Sequence, residues 1–309
     1  MAMPTIAFAA ALVPLVSAYP IAVAQQEAPP AADIDVLRTG NDLHDRMTVT
    51  VRVDDKGPYN FLIDTGAERT VISRGLAQSL GLAPKSRATL IGIAGSQAVD
   101  IVPVDQLALG RRSFYDIAAP VLEAEHIGAA GIVGLDSLQG QRVLIDFRAR
   151  RMTVGDAKSL GGDRGFDIVV TARRRSGQLI MTNGLVDGIR TDIVVDTGAE
   201  TSIGNRALQD ALRRRHRQGQ TQLLSVTGQE IAADVGVADR VDIDGLSLNN
   251  TAIAFADSPP FVKLGLDKKP ALFLGMTQLR LFRRVAIDFA ARKVLFDLPP
   301  LQDNGIVLR

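Results

Sequence analysis

Phe61-Leu62-Ile63-Asp64-Thr65-Gly66-Ala67-Glu68 and Ile193-Val194-Val195-Asp196-Thr197-Gly198-Ala199-Glu200 are one sentence written twice, 132 residues apart. In each copy three apolar residues run into Asp-Thr-Gly-Ala. A carboxylate at the end of a buried strand is costly to desolvate unless a partner or a task holds it there. Two such carboxylates in duplicated settings point to one shared site, at which one acid accepts a proton while the other gives one.

The repeat extends on both sides of these tetrapeptides. Downstream, Leu90-Ile91-Gly92-Ile93-Ala94-Gly95 is matched by Leu223-Leu224-Ser225-Val226-Thr227-Gly228. Each is an apolar alternation ending in a glycine turn, the signature of a hairpin. Gly131-Ile132-Val133-Gly134-Leu135 is matched by Leu272-Phe273-Leu274-Gly275-Met276. Both halves then close on near-identical strands, Val143-Leu144-Ile145-Asp146-Phe147 and Val285-Ala286-Ile287-Asp288-Phe289. Met47–Val53 and Val241–Gly245 alternate with the period of a half-buried strand, and helical signal is confined to Ser73–Leu80, stopped by Gly81, and Asn205–Arg215. The fold class is all-β with two homologous lobes. The boundaries read as an N-terminal lobe at 41–154, a glycine-rich linker at 155–165, a C-terminal lobe at 166–300 and a tail at 301–309.

Composition excludes several classes of function. Lys plus Arg (35) and Asp plus Glu (34) nearly cancel, so charge gives no reason to expect nucleic acid as a partner. Cysteine is absent, which removes disulfides, thiol nucleophiles and zinc–cysteine sites. His44, His126 and His216 are far apart and none has metal-ligand spacing, so neither a metal nor another cofactor is expected. With no Trp and three Tyr, the core rests on aliphatic residues and Phe.

At the N-terminus, Ile6–Ala18 is too short for an ordinary transmembrane helix of ~20 residues. Ala22-Val23-Ala24 before Gln25 has the small-x-small pattern of a signal-peptide cleavage site, although no Lys or Arg precedes the apolar stretch. Residues 1–24 are therefore expected to be removed after Ala24, leaving a loose Pro/Ala/Gln-rich segment at 25–40. The expected location is the periplasm or outside the cell, with no stable membrane anchor.

The paired Asp-Thr-Gly-Ala elements, each followed by a flap hairpin and an apolar-apolar-Gly element, resemble the retropepsin-like and pepsin-like aspartic protease clan over about residues 41–298. The resemblance is nearest to bacterial periplasmic retropepsin-like proteases with two tandem lobes. Asp-Thr-Gly-Ala-Glu with Thr70 or Ser202 two places on is the retroviral pattern, whereas pepsin-like chains usually carry Ser or Thr at the positions of Ala67 and Ala199. They also carry a tyrosine on the first flap, and none lies between Tyr59 and Tyr115.

The resemblance implies a bilobal β-barrel protein with the active site between its lobes. It implies an aspartic endopeptidase in which Asp64 and Asp196 are catalytic. Thr65, Gly66, Ala67, Thr197, Gly198 and Ala199 would form the supporting loops, with the threonines bonding across the lobes. Ile93, Ala94, Gly95, Val226, Thr227 and Gly228 would form the flap tips over an extended polypeptide. With both copies in one chain, the protein is expected to be catalytically complete as a monomer. With only about twenty residues between signal and lobe, a selective processing protease of exported proteins is expected.

The alternative from another class is a peptide-binding protein that keeps the cleft without cutting. Lacking side-chain hydroxyls, Ala67 and Ala199 should extend the active range toward neutral pH. The neighbouring Glu68 and Glu200 read as salt-bridged within their own lobes, with substrate contact as the alternative. Asp146 and Asp288 read as structural, and the runs Arg173–Arg175 and Arg213–Arg217 as solvated faces.

Overall fold

The alternation of Met47–Val53 becomes a strand in which Val49, Val51 and Val53 are buried and Thr50 and Arg52 exposed. The same logic of one apolar face per strand builds both lobes of the computed structural model, which describes residues 35–38, 40–41, 47–212, 217–299 and 306–308. The expected signal at 1–24, most of the segment 25–40 and Arg213–His216 of the basic run lie outside the described residues.

The N-terminal lobe is an eight-stranded sheet. Its order is Gly40–Asn41, Met47–Val53, Lys56–Ile63, Gly131–Val133, Val71–Ser73, Arg112–Leu122, Gly95–Leu109 and Ser86–Gly92. The C-terminal lobe repeats that order with Arg173–Arg175, Gln178–Val186, Ile189–Val195, Ala271–Leu274, Ser202–Gly204, Leu246–Phe255, Glu230–Ile243 and Arg217–Leu224. In each lobe the second strand also pairs with the seventh, Val51 opposite Leu109 and Leu185 opposite Asp242, so each sheet curls into a barrel.

The apolar-apolar-Gly elements run parallel to the strands that carry the aspartates, with Ile63 opposite Val133 and Val195 opposite Leu274. The Asp64 amide donates to the Val133 carbonyl at 3.2 Å and the Asp196 amide to Leu274 at 3.0 Å. A Cβ on Gly134 would lie 2.4 Å from the Arg69 backbone, and one on Gly275 would lie 2.7 Å from that of Thr201. Glycine is required there so that the backbone can pass behind the loop.

The closing strands do something that two separate lobes would not. Asp35–Arg38, Arg151–Gly155, Arg142–Asp146, Arg284–Asp288, Lys293–Asp297 and Ile168–Thr171 form, in that order, a six-stranded sheet shared by both halves. Arg142–Asp146 lies antiparallel to Arg284–Asp288, with Arg142 opposite Asp288 and Asp146 opposite Arg284. This sheet makes the two lobes one packing unit. Two segments differ from the sequence reading. Asp35–Arg38, at the end of the loose segment, is the edge strand beside Arg151–Gly155, and Ile306–Leu308, in the tail, pairs with Leu246–Leu248. Both cover edges that would otherwise leave backbone groups unpaired, a tertiary reason that composition does not register. The helix expected at Asn205–Arg215 is described for Arg206–Ala211, with Asn205 capping it by accepting from the Leu208 amide at 2.9 Å.

At the junction, the Arg142 guanidinium is 2% exposed and Asp288 1%. Arg142 donates through Nε to Asp288 Oδ2 at 2.9 Å and through Nη2 to Asp163 at 2.6 Å. Asp288 also accepts from the Ala291 amide, so the acid is structural. Removing the guanidinium would strand a buried carboxylate. Arg142→Met is expected to lower the unfolding free energy by about 3–5 kcal/mol, against less than ~0.5 kcal/mol for the exposed Arg148→Ala, as read by denaturant titration.

Candidate active site

The two Asp-Thr-Gly loops meet between the barrels because each threonine is shared with the opposite lobe. The Thr65 amide donates to Thr197 Oγ1 at 3.0 Å, and the Thr197 amide donates to Thr65 Oγ1 at 3.2 Å. Each hydroxyl then donates across the interface, Thr65 to the Val195 carbonyl at 2.9 Å and Thr197 to Ile63 at 2.8 Å. Both threonines are buried, so these hydrogen bonds form out of water and fix the loops in register.

The glycines set how close the carboxylates come. A Cβ on Gly66 would lie 2.7 Å from Asp196 Oδ1, and one on Gly198 would lie 2.3 Å from the Asp64 carboxyl carbon. Each glycine therefore makes room for the aspartate of the other lobe. Within its own loop, Asp64 Oδ1 accepts from the amides of Gly66 (2.7 Å) and Ala67 (3.0 Å), and Asp196 Oδ1 accepts from Gly198 (2.9 Å). Thr70 and Ser202 brace the loops from behind, their hydroxyls accepting from the amides of Gly134 (3.1 Å) and Gly275 (3.0 Å).

Asp64, Gly66, Ala67, Asp196, Gly198 and Ala199 line a cleft of about 1020 Å³, with Ile93 and Val226 among the residues above them. Thr65 and Thr197 lie beneath its floor. Ala94, Gly95, Thr227 and Gly228 are not among the lining residues; the turns instead bring the flaps against each other and against the lobes. Gly92 packs on the Ser225 hydroxyl, Gly95 on Gln229 and Gly228 on the His126 ring, and a Cβ at any of the three would push the facing side chain aside. The flaps also cross over. Ile93 of the first packs on the C-terminal lobe's cluster around Phe261 and Leu264, and its carbonyl accepts from the Ser258 hydroxyl at 2.8 Å. Val226 of the second packs on the N-terminal lobe's cluster around Leu122 and Ile127.

Gln178 was not singled out by sequence reasoning. It lines the cleft, is only 6% exposed, and donates Nε2 to the Gly66 carbonyl at 2.7 Å. Because a carbonyl can only accept, the amide orientation is fixed, which leaves Oε1 buried without a partner. No sequence signal marks it, since Gln178 merely follows the turn after Arg173–Arg175. Glu68 also departs from the sequence reading. Its carboxylate accepts from Lys263 of the other lobe at 2.6 Å, so the ion pair spans the interface. Lys263 lies on the short helix Pro259–Lys263 of the C-terminal lobe, outside both Asp-Thr-Gly motifs.

Burial, and then the Asp64 carboxylate beside it, push the Asp196 carboxyl up to about 7 against the opposing pull of the Gly198 and Ala199 amides. The two acids are coupled, so the proton belongs to the pair and not to either residue. The folded chain thus keeps a proton that an unfolded aspartate loses near pH ~3.9, and stability falls as pH rises between that value and about 7. Asp196→Asn keeps an acceptor for the Gly198 amide and removes the charge. The variant is expected to melt progressively higher than its parent as pH is raised through this window. The same melting difference at both ends of the window would exclude charge strain in the pair.

No curated protein sequence matches the chain. The model of the aspartyl protease family matches it twice, over residues 49–137 and 182–277, each match spanning one Asp-Thr-Gly loop and its flap. With more than half the chain matched, one copy to each lobe, the protein belongs to the aspartyl protease family.

Proposed function

We propose that the protein is an aspartic endopeptidase that cleaves extended polypeptides at Asp64 and Asp196, acting as a selective processing enzyme on exported proteins. The observation that carries this reading is the close pair of carboxyls, Asp64 against Gly198 and Asp196 against Gly66, in the cleft between the lobes. In the proposed mechanism the ionised member takes a proton from a water bound between them. The protonated member polarises the scissile carbonyl, and the roles reverse as the leaving amine is protonated. No covalent intermediate is required. The flap strands offer edges to an extended main chain, and Gln178 Oε1 offers a buried acceptor for one of its N–H groups. The crossed flaps must part to admit a chain and, closed over it, exclude water. Both acids come from one chain, so the monomer is the active species. The small-x-small pattern at Ala22–Ala24 supports action outside the cytoplasm.

Cleavage of a peptide mixture from about pH 3 to about pH 8 tests the reading. Activity is expected to fall as pH rises through about 7, where the shared proton and hence the general acid are lost, and to vanish in Asp64→Asn. Full cleavage by Asp64→Asn would overturn the assignment, and binding without cleavage at any pH would favour a non-cutting peptide binder. Ala199→Ser, which sets a hydroxyl donor beside the carboxylate, is expected to move the alkaline limb down by on the order of one pH unit.

A further inference from the structure

Besides the two aspartates, the charged or titratable side chains lining the cleft are Glu68, Arg69, His126, Glu200 and Lys263, among the described residues. The internal repeat lets them be compared position by position. Glu68 and Glu200 each follow Asp-Thr-Gly-Ala, and the next residue is Arg69 in one lobe and Thr201 in the other. His126-Ile127-Gly128 and Lys263-Leu264-Gly265 end equivalent short helices, with Ile127 and Leu264 buried and the glycines at φ 79° and 58°. Lys263 therefore stands where the other lobe has His126.

This exchange divides the cleft. Lys263 reaches across the interface to Glu68 at 2.6 Å and neutralises it, and Arg69, the next residue along, also lines the cleft. At the opposite mouth the corresponding cation is replaced by a histidine, which sits under the Gly228 turn with its Nε2 3.5 Å from Glu125. Glu200 is fixed through its main chain, its carbonyl accepting from the amide and hydroxyl of Thr277 at 2.9 Å each. Its carboxylate has no ion-pair partner among the described residues. A peptide lying along the cleft would cover that carboxylate and strip its water, so the cleft favours a chain that brings a cation there and penalises one that leaves the acid unpaired.

We propose that Glu200 selects a lysine or arginine side chain of the substrate, so that the preferred substrates are extended peptides with a basic residue on one side only of the scissile bond. This rests on the proteolytic reading above and adds a substrate class to it. The neutralised Glu68 position on the other side takes no such cation.

The test is to digest a mixture of peptides of all compositions and map the cut bonds for the parent, Glu200→Gln and Lys263→Met. The parent is expected to show Lys and Arg enriched on one side of the cut bond, with kcat/KM roughly five- to tenfold above that of matched neutral peptides. Glu200→Gln is expected to lose the enrichment. Lys263→Met, which frees Glu68, is expected to gain a second enrichment on the opposite side, an outcome that a merely structural role for these residues would not produce. Cleavage without one-sided enrichment, or enrichment unchanged in Glu200→Gln, would overturn the proposal and leave the protease reading standing. If nothing is cut, the protease reading fails, and binding of labelled peptides to the Asp64→Asn protein decides the proposal. Tighter binding of a lysine peptide than of its norleucine counterpart, lost on adding Glu200→Gln, supports it; equal affinity or no binding overturns it.

Discussion

Two carboxyl groups repel each other when both are ionised, and little in a β-barrel brings them together unaided. Here the reciprocal hydrogen bonds between Thr65 and Thr197 do so, tying each loop to the other's amide and to the carbonyl at the end of the other's strand. Because all four bonds are buried and cross the interface, neither lobe can shift along the other without breaking several at once. Gly66 and Gly198 then remove the side-chain bulk that would hold the acids apart. The raised titration of Asp196 follows from burial and then from that enforced closeness.

The rest of the architecture keeps this contact from being only local. Behind the loops, the parallel strands Gly131–Val133 and Ala271–Leu274 supply carbonyls to the aspartate amides. Further back, the shared six-stranded sheet joins the halves, with Arg142 buried against Asp288 where the closing strands meet. In front, the flaps exchange lobes, Ile93 packing on the C-terminal cluster and Val226 on the N-terminal one. Contacts that cross the interface thus occur at the base, the floor and the roof of the cleft. A two-fold arrangement is the economical way to present two acids symmetrically to one water, and small departures from it are where a directional substrate can be recognised. Lys263 against His126 is one such departure, and Arg69 against Thr201 is another.

Much of this was legible in the chain itself. The repeated Asp-Thr-Gly-Ala, the alternating strands and the duplicated apolar-Gly elements determined an all-β pair of homologous lobes and both acids, because strand periodicity and tight glycine contacts are local properties written in adjacent residues. The turns at Ile93–Gly95 and Val226–Gly228 were also readable, but which of their residues face the cleft was not. That depends on where the opposite flap stands, and Gly95 and Gly228 prove to be the points at which flaps and lobes touch.

Only the tertiary structure decided the contacts between distant segments. The shared sheet recruits Asp35–Arg38, a stretch whose composition reads as loose, because an unpaired strand edge must be covered wherever it falls. Glu68 finds its cation in the other lobe, and Gln178 reaches the Gly66 carbonyl more than a hundred residues away. Sequence fixes which residues can form strands and turns, since those preferences act between neighbours. The partner of a buried charge or amide is set by the packing of whole lobes, which brings together groups that no spacing along the chain relates.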